Sequence, residues 1–149
     1  MTEVDRAALS ELVHRYAARV DDRDFAGVAD LFTEDAELIL PDPPERLDPV
    51  SSRHGRAGVR AALATLASVT RTRHAIVGEV YDAAGPDAGT GRVACVAHHF
   101  SARGDGFTDL VWHLRYDDAY RREDDGWRIA RRALTIDAIE TGPIRRLRI

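Results

Sequence analysis

Hydrophobic positions recur at intervals of three and four residues near the start of the chain and predict a helix over residues 3–22. The apolar stripe of this helix consists of Leu9, Leu12, Val13, Tyr16 and Val20. Thr2 is placed to cap the helix, with Asp5 three residues later as in a capping box. The pattern therefore predicts an amphipathic helix that packs one face into a core.

Two more helical segments follow, separated by a short strand. The stretch DFAGVADLF predicts a short helix with Asp24 at its N-cap, because aspartate is among the preferred N-cap residues. Residues 36–40, AELIL, are predicted to form a short strand. Residues 56–69, RAGVRAALATLASV, are rich in alanine and leucine and predict a third helix.

The segment PDPPERLDP holds four prolines between residues 41 and 49. Proline lacks a backbone donor and breaks helices, so this segment is predicted to be neither a helix interior nor a central strand. A long loop in a compact domain is often a lid or a binding loop. A solvent-exposed excursion explains the same composition, and both interpretations stay open at this point.

The second half of the chain changes from helical to strand-like periodicity. Four strands are predicted, at residues 71–81, 92–102, 108–122 and 126–140. The glycine-containing sequences DAAGPDAGTG, RGDG and EDDG separate these strands and predict hairpin turns. Helices followed by an antiparallel meander indicate an α+β fold in which the sheet curls over the helices.

Strand parity predicts which side chains share a face, because directly opposed residues of an antiparallel pair lie on the same side of the sheet. Hairpins centred in the three turn sequences place His74 opposite His99, and Asp118 opposite Arg131. One face then carries His74, His99, Trp112, Tyr116, Asp118, Arg131 and Asp137. The choice of His99 over His98 depends on where the first hairpin is centred, because its turn sequence is the longest and a one-residue slip exchanges the two histidines.

Length and charge exclude several classes of protein. The 149 residues fit one domain, spanning 1–149. A net charge of −4 argues against non-specific nucleic-acid binding, which needs a strongly cationic surface. The N-terminus does not resemble a signal peptide, and no segment has the apolar length that spans a bilayer. We therefore expect a cytoplasmic protein with neither a nucleic-acid nor a membrane partner.

The residue types that are missing restrict the chemistry further. Cys95 is the only cysteine, which excludes an internal disulfide and a cysteine-rich zinc site. The chain has no lysine, so neither a Schiff base nor a phosphate-loop lysine can form. Asparagine and glutamine are also missing. An active site must therefore use Asp, Glu, His, Tyr, Arg, Ser or Thr.

Four segments together resemble the nuclear-transport-factor-2-like superfamily and, within it, the SnoaL-like branch. They are YAARVDDRDFAGVADLFTEDAEL, HGRAGVRAAL, TRHAIVG and YDDAYRREDDGWRIARR, and they cover nearly the whole chain in the expected order. The resemblance implies a cone-shaped α+β fold. Three N-terminal helices would pack in a curved antiparallel sheet, a short first strand plus a four-strand meander, and enclose a pocket. It also implies a homodimer, which many members form through the outer sheet face.

Within this branch the chain looks most similar to scytalone- and bile-acid-dehydratase-like members. In those proteins a tyrosine and an aspartate at the end of the first helix work with a histidine on the strand after the third helix. The residues that match as catalytic are His74, Asp21, Tyr16 and, on the next strand, His99. The residues expected to bind substrate are Phe32, Trp112, Tyr116 and Arg131. The asparagine used by the fungal dehydratase has no counterpart here.

Each of these residues also has a purely structural interpretation. Tyr16 lies on the apolar stripe and could be a core aromatic residue with its hydroxyl at an edge. Asp21 lies in a run of acidic residues near a helix end and could serve as a cap. His74, taken alone, would more often be a structural histidine. The coincidence of all three with matched positions of the resembled family favours a site.

Three functions follow as hypotheses. The first is a cofactor-independent, dehydratase-like lyase or isomerase that uses general acid–base catalysis on a small, largely apolar cyclic carbonyl compound, with no metal. The alternative is a non-catalytic module that binds a small-molecule ligand, or an accessory subunit of the same fold. A metal enzyme using His74, His99 and a carboxylate ranks last, because no HxH or HxxxH spacing preorganises a site.

Overall fold

Three helices and one six-stranded sheet form the fold in the computed structural model, which describes residues 1–149. The helices are α1 (Glu3–Asp21), α2 (Phe25–Ala29) and α3 (Gly55–Ala64), the last continued by a 3₁₀ helix (Thr65–Ser68). The strands are β1 (Phe32–Asp42), β2 (Arg46–His54), β3 (Arg71–Ala83), β4 (Ala88–Arg103), β5 (Gly106–Glu123) and β6 (Gly126–Ile144). Their order in the sheet is β2-β1-β6-β5-β4-β3, and the predicted α+β class is confirmed.

The N-terminal helix forms as its sequence pattern predicts. Thr2 accepts a hydrogen bond from the backbone of Asp5, and the Asp5 carboxylate accepts one from the backbone of Thr2, which completes the capping box. All five residues of the predicted apolar stripe are buried. Asp21 is the last helical residue, so its side chain lies where α1 meets the sheet.

The other two helices are shorter than the sequence suggests. Asp24 caps α2 by accepting a hydrogen bond from the Gly27 backbone, as predicted. Helix α3 was predicted to reach residue 69 but ends at Ala64, where the tighter 3₁₀ turn takes over. No helix of the fold combines the length and apolarity that a bilayer crossing requires.

The proline-rich segment is a hairpin rather than a loop, which corrects both interpretations of residues 41–49. Strand β1 has 11 residues instead of a short run, and β2 pairs with it antiparallel. Pro41 falls where the β1–β2 register shifts between Leu40 and Asp42, and Pro49 lies on the edge strand. Bulges and edges tolerate proline because no ladder donor is required there. Strand β1 also pairs in parallel with β6, so the sheet is mixed rather than wholly antiparallel.

The first two hairpins of the meander confirm the predicted faces but not every pair. His99 lies opposite Leu110, as expected. His74 is paired with Ala97 and not with His99, whose partner is Thr72. The predicted register was therefore wrong by two residues, a shift that preserves parity, so the two histidines still share one face.

The last hairpin departs from the prediction by a single residue. The register shifts between Ala119 and Tyr120, where Ala130 has no partner, in the manner of a β-bulge. Asp118 consequently lies opposite Arg132 instead of Arg131. A one-residue slip exchanges the two faces of a strand, so Arg131, predicted inside, falls on the outer face. A second shift between His113 and Leu114 leaves Asp137, also predicted inside, exposed and without a partner in the ladder.

Candidate functional site

A cavity of about 200 Å³ lies between the helices and the concave face of the sheet. We call it the inner cavity. Eleven of its fifteen lining residues are hydrophobic. The apolar wall includes Val20, Leu38, Leu40, Leu63, Leu66 and Leu134. Such a lining is typical of a site that removes a small apolar ligand from water.

His74 and Asp21 form a hydrogen-bonded pair at the wall of this cavity. The Nδ1 atom of His74 lies 2.7 Å from Asp21 Oδ1, and the His74 ring is 8% exposed. A carboxylate at Nδ1 stabilises the tautomer with its proton there, which leaves Nε2 as the nitrogen available to a ligand. The structure thus brings together two of the predicted catalytic residues in an oriented pair.

The Asp21 carboxylate is held by three donors from β3. The backbone N–H of His74 donates to Oδ2 at 2.9 Å, and the Thr72 hydroxyl donates to Oδ1 at 3.0 Å. Burial alone would raise the pKa of Asp21, but the hydrogen bonds from His74 outweigh it and lower the pKa below its ordinary value. Asp21 is therefore charged near neutrality and fixes the orientation of the imidazole.

His99 faces the same cavity from β4, and His98 does not. The Nδ1 atom of His99 donates to the backbone carbonyl of Leu110 at 2.9 Å, and its ring packs 4.6 Å from Trp112. Burial lowers the pKa of His99, so its imidazole is neutral near pH 7. His98 lies on the other face of the sheet, where it pairs with Asp109 at 2.6 Å.

Two tyrosines line the cavity above a buried arginine. The guanidinium carbon of Arg132 lies 4.3 Å from the ring centroid of Tyr16 and 3.9 Å from that of Tyr116. Burial raises the pKa of both phenols, more than the nearby Arg132 charge lowers it. Both phenols therefore keep their protons at neutral pH and remain hydrogen-bond donors.

Arg132 is held by a bidentate ion pair with Asp118. Its Nε and Nη2 atoms donate to the two carboxylate oxygens at 2.8 and 2.7 Å, and both side chains are completely buried. Tyr120 donates a further hydrogen bond to Asp118 at 2.6 Å. Burial opposes the charge of Arg132, but Asp118 raises its pKa well above the ordinary value. The positive charge is thus neutralised beneath the cavity floor.

Two predicted substrate-binding residues lie outside the cavity. Arg131 is 49% exposed at its side chain and pairs with Glu37 on the outer surface, because of the β6 register shift. Phe32 is fully buried beneath Tyr16, 6.1 Å between ring centroids, and does not line the cavity. The sequence places two arginines side by side, and nothing local distinguishes Arg132, which the prediction missed, as the buried one.

The remaining chemical groups add little to the site. No group of three or more His, Cys, Asp or Glu side chains converges closely enough to hold a metal ion. Cys95 is buried, and burial raises the pKa of its thiol to about 12, so it stays protonated. The site therefore consists of the His74–Asp21 pair, His99 and two phenols on an apolar wall.

Comparison with known proteins identifies related sequences. A family model described as a SnoaL-like domain matches residues 3–133. Among curated proteins, none matches the chain. The matched range includes every residue that the resemblance singled out as catalytic or substrate-binding.

Several solved structures share the fold. A candidate aromatic ring hydroxylase from Novosphingobium aromaticivorans is 23% identical, with 97% of this chain and 96% of that chain covered and a TM-score of 0.81. A candidate scytalone dehydratase from the same organism is 20% identical, with 97% and 96% covered and a TM-score of 0.79. A hexachlorocyclohexane dehydrochlorinase, LinA-type3 from Novosphingobium barchaimii, is 16% identical, with 99% and 98% covered and a TM-score of 0.76. These similarities establish the cone-shaped fold.

Proposed function

Since the chain belongs to the SnoaL-like domain family, we propose that it is a cofactor-independent lyase or isomerase of the dehydratase type. The observation that carries the proposal is the His74–Asp21 pair at the wall of an apolar cavity. The names of the structurally similar scytalone dehydratase and dehydrochlorinase, both of which denote eliminations, agree with it. The substrate class is a small cyclic carbonyl compound that carries a leaving group β to the carbonyl.

In the proposed reaction His74 is the general base. Its Nε2 atom takes the proton α to the substrate carbonyl, and Asp21 stabilises the imidazolium that forms. The electron pair of the broken C–H bond moves toward the carbonyl oxygen and forms an enolate. In a dehydration the β-hydroxyl then leaves with a proton from His74, so that water and an enone are released and the base is regenerated.

The phenol of Tyr16 is proposed to stabilise the enolate oxygen. A raised pKa keeps this phenol protonated, so it can donate a hydrogen bond as the oxygen becomes negative. Tyr116 adds a second phenol on the same wall. Neutral His99 can accept a hydrogen bond at Nε2 and orient a substrate hydroxyl.

The charge balance of the site favours an uncharged substrate head. Asp118 neutralises Arg132, and Arg131 points away, so no free cation inside the cavity can hold a carboxylate. A carboxylate placed there would lose its hydration without a partner, which costs several kcal/mol. We therefore propose a neutral ring compound, in whose binding Arg131 takes no part.

Dehydration of 4-hydroxy-2-tetralone tests the proposal. This bicyclic β-hydroxy-ketone loses water to give 2-naphthol, whose fluorescence reports the rate. We expect His74→Ala and Asp21→Asn to reduce the catalysed rate by about 10²- to 10⁴-fold, as general base catalysis predicts. His98→Ala is the matched control, because His98 also pairs with an aspartate but lies on the outer face.

The same variants separate an enzyme from a binding module. Calorimetry would measure the affinity of each variant for 2-naphthol. Binding without dehydration, unchanged in His74→Ala and Asp21→Asn, would overturn the catalytic proposal and favour the non-catalytic alternative. A rate lost equally in His98→Ala would contradict the assignment of the reaction to the inner cavity.

We also propose that the protein is a homodimer. The basis is the resemblance to cone-fold proteins that dimerise through the outer sheet face, and Val77 and Val80 on β3 are exposed hydrophobic residues. Light scattering should give twice the 16.5 kDa of one chain. A mass of one chain at micromolar concentration would contradict it.

A further inference from the structure

A second, more open groove adjoins the inner cavity on the concave face of the sheet. We call it the outer groove; its volume is about 450 Å³. The two share four lining residues, Thr65, Leu66, His99 and Trp112. A ligand that occupied both spaces would have to pass His99 and Trp112.

The lining changes from apolar to polar along this path. Beyond His99 the concave face of β4 presents Ser101 and Arg103, and the neighbouring strands add Thr108 and Thr141. Arg103, Thr108 and Thr141 also line the next cavity, at the open end of the sheet. The end of the outer groove away from the inner cavity thus carries hydroxyl groups and one guanidinium.

The charge of Arg103 has no partner in the protein. None of the ion pairs of the structure includes Arg103. No aspartate or glutamate lines the outer groove or the cavity beyond it. Most arginines on this chain have a carboxylate or carbonyl partner, and the outer groove leaves one guanidinium free for a ligand anion.

We propose that the outer groove binds an anionic tail of the substrate, with Arg103 as the residue that recognises its carboxylate or phosphate. This inference rests on the proposed function, because the inner cavity must hold the neutral ring at the other end of the same molecule. Arg103 follows His99 by four residues on an extended strand, so their Cα atoms lie about 13 Å apart. The substrate is accordingly amphiphilic, with an uncharged cyclic carbonyl head and an acidic group at the end of a flexible chain.

Binding of matched probes tests this inference. The head probe is 2-naphthol, and the tailed probes are 2-naphthyl ethers that carry a hexanoate, a hexyl phosphate or a neutral hexanamide. Calorimetry at low salt should show that the acidic tails improve affinity over the hexanamide by about five- to tenfold. The acid that binds more tightly distinguishes a carboxylate from a phosphate tail. High salt should reduce the gain, because the groove is open to solvent.

The measured quantity is the ratio of affinities between the acidic and the neutral tail. Arg103→Gln should bring this ratio close to one, whereas Arg73→Gln should leave it as in the wild type. Arg73 is the matched control, since it is an exposed arginine on the opposite face of the same sheet. An affinity ratio near one in the wild type would overturn the inference. So would a ratio in Arg103→Gln as large as that of the wild type.

The result is independent of the test of catalysis. Suppose that the affinity ratio depends on Arg103 but that His74→Ala still dehydrates the tetralone. This result would support anion binding in the outer groove and contradict the proposed function. A ratio near one together with a rate lost in His74→Ala would overturn only the groove. If neither the head nor any tailed probe binds, both proposals fail.

Discussion

At the scale of single residues, the two adjacent arginines of β6 show how one position decides a role. Arg132 is completely buried, with Asp118 at its donors and two phenol rings on its faces. Arg131 lies on the surface beside Glu37. A buried charge is tolerated only when its partner is in place, whereas an exposed pair contributes little. The same residue type therefore has very different energetic weight at neighbouring positions.

Substitution of each arginine by methionine measures that difference. Arg132→Met leaves Asp118 buried without its cation and should reduce the free energy of unfolding by about 3–5 kcal/mol. Arg131→Met, the matched control, should change it by at most about 1 kcal/mol. Urea denaturation would measure both, and equal losses would contradict the assignment of Arg132 to the interior.

The neutral His99 predicts a pH dependence of stability. Burial places the pKa of His99 below the 6.5 of an unperturbed histidine, so below about pH 6.5 the unfolded chain binds a proton that the folded chain does not. The free energy of unfolding should therefore fall as the pH falls from 7 to 5. The slope from one such group is at most about 1.4 kcal/mol per pH unit.

His99→Phe should remove this contribution and make the stability between pH 7 and 5 less dependent on pH. His54→Phe is the control, because His54 is exposed at the start of α3. Urea denaturation at several pH values would give both slopes. An unchanged slope in His99→Phe would show that other groups cause the acid sensitivity.

At the scale of elements, the meander depends on close packing at one glycine of β4. Gly91 lies inward between Tyr81 and Tyr120, and a Cβ atom there would come within 2.7 Å of the Tyr120 ring. Both tyrosines are buried and their rings pack edge to face, 5.9 Å apart. The absence of a side chain at Gly91 allows the two aromatic rings to close over the strand.

Gly91→Ala should therefore destabilise the protein by about 1–3 kcal/mol through overpacking. Gly142→Ala is the matched control on β6, where a Cβ atom would meet nothing within 4 Å. Thermal denaturation of the two variants would compare them directly. A Tm for Gly91→Ala equal to that of Gly142→Ala would contradict the close approach.

The sequence largely predicted which helices and strands form, but it predicted only part of how the strands pair. The apolar stripe of α1 and the alternation of β4 and β5 are local patterns, and both were confirmed. Strand β2 was missed because the prolines around it are acceptable only at an edge or bulge, which local sequence does not reveal. The bulge at Ala130 has no sequence signal either, and it alone reversed the face of Arg131.

At the scale of the whole molecule, the inner cavity exists because two layers meet without filling the space between them. Helix α3 contributes Ala62 and Leu63 to one wall, and β1 contributes Leu40 and Pro41 to another. Segments far apart in sequence thus enclose a single volume. The site at its wall joins the end of α1 to β3 and β4 in the same way.

A pair of adjacent alanines on α3 tests the position of the cavity. Ala62→Trp should fill the space and weaken 2-naphthol binding by more than about tenfold, because close-packed walls cannot move apart to admit both the indole ring and the ligand. Ala61→Trp, exposed one position earlier, should leave the affinity within about twofold. Calorimetry would measure both variants, and equal affinities would place the ligand elsewhere.

The sequence by itself determined the α+β class, the helical stripe, the strand meander and the set of residues from which a site could be made, because all of these are local patterns. The tertiary structure alone decided that Asp21 reaches His74, that His99 rather than His98 faces the cavity, and that Arg132 rather than Arg131 lies inside. The reason is geometric. Side chains alternate along a strand, so one unpaired residue in a ladder exchanges interior and surface without altering any local pattern.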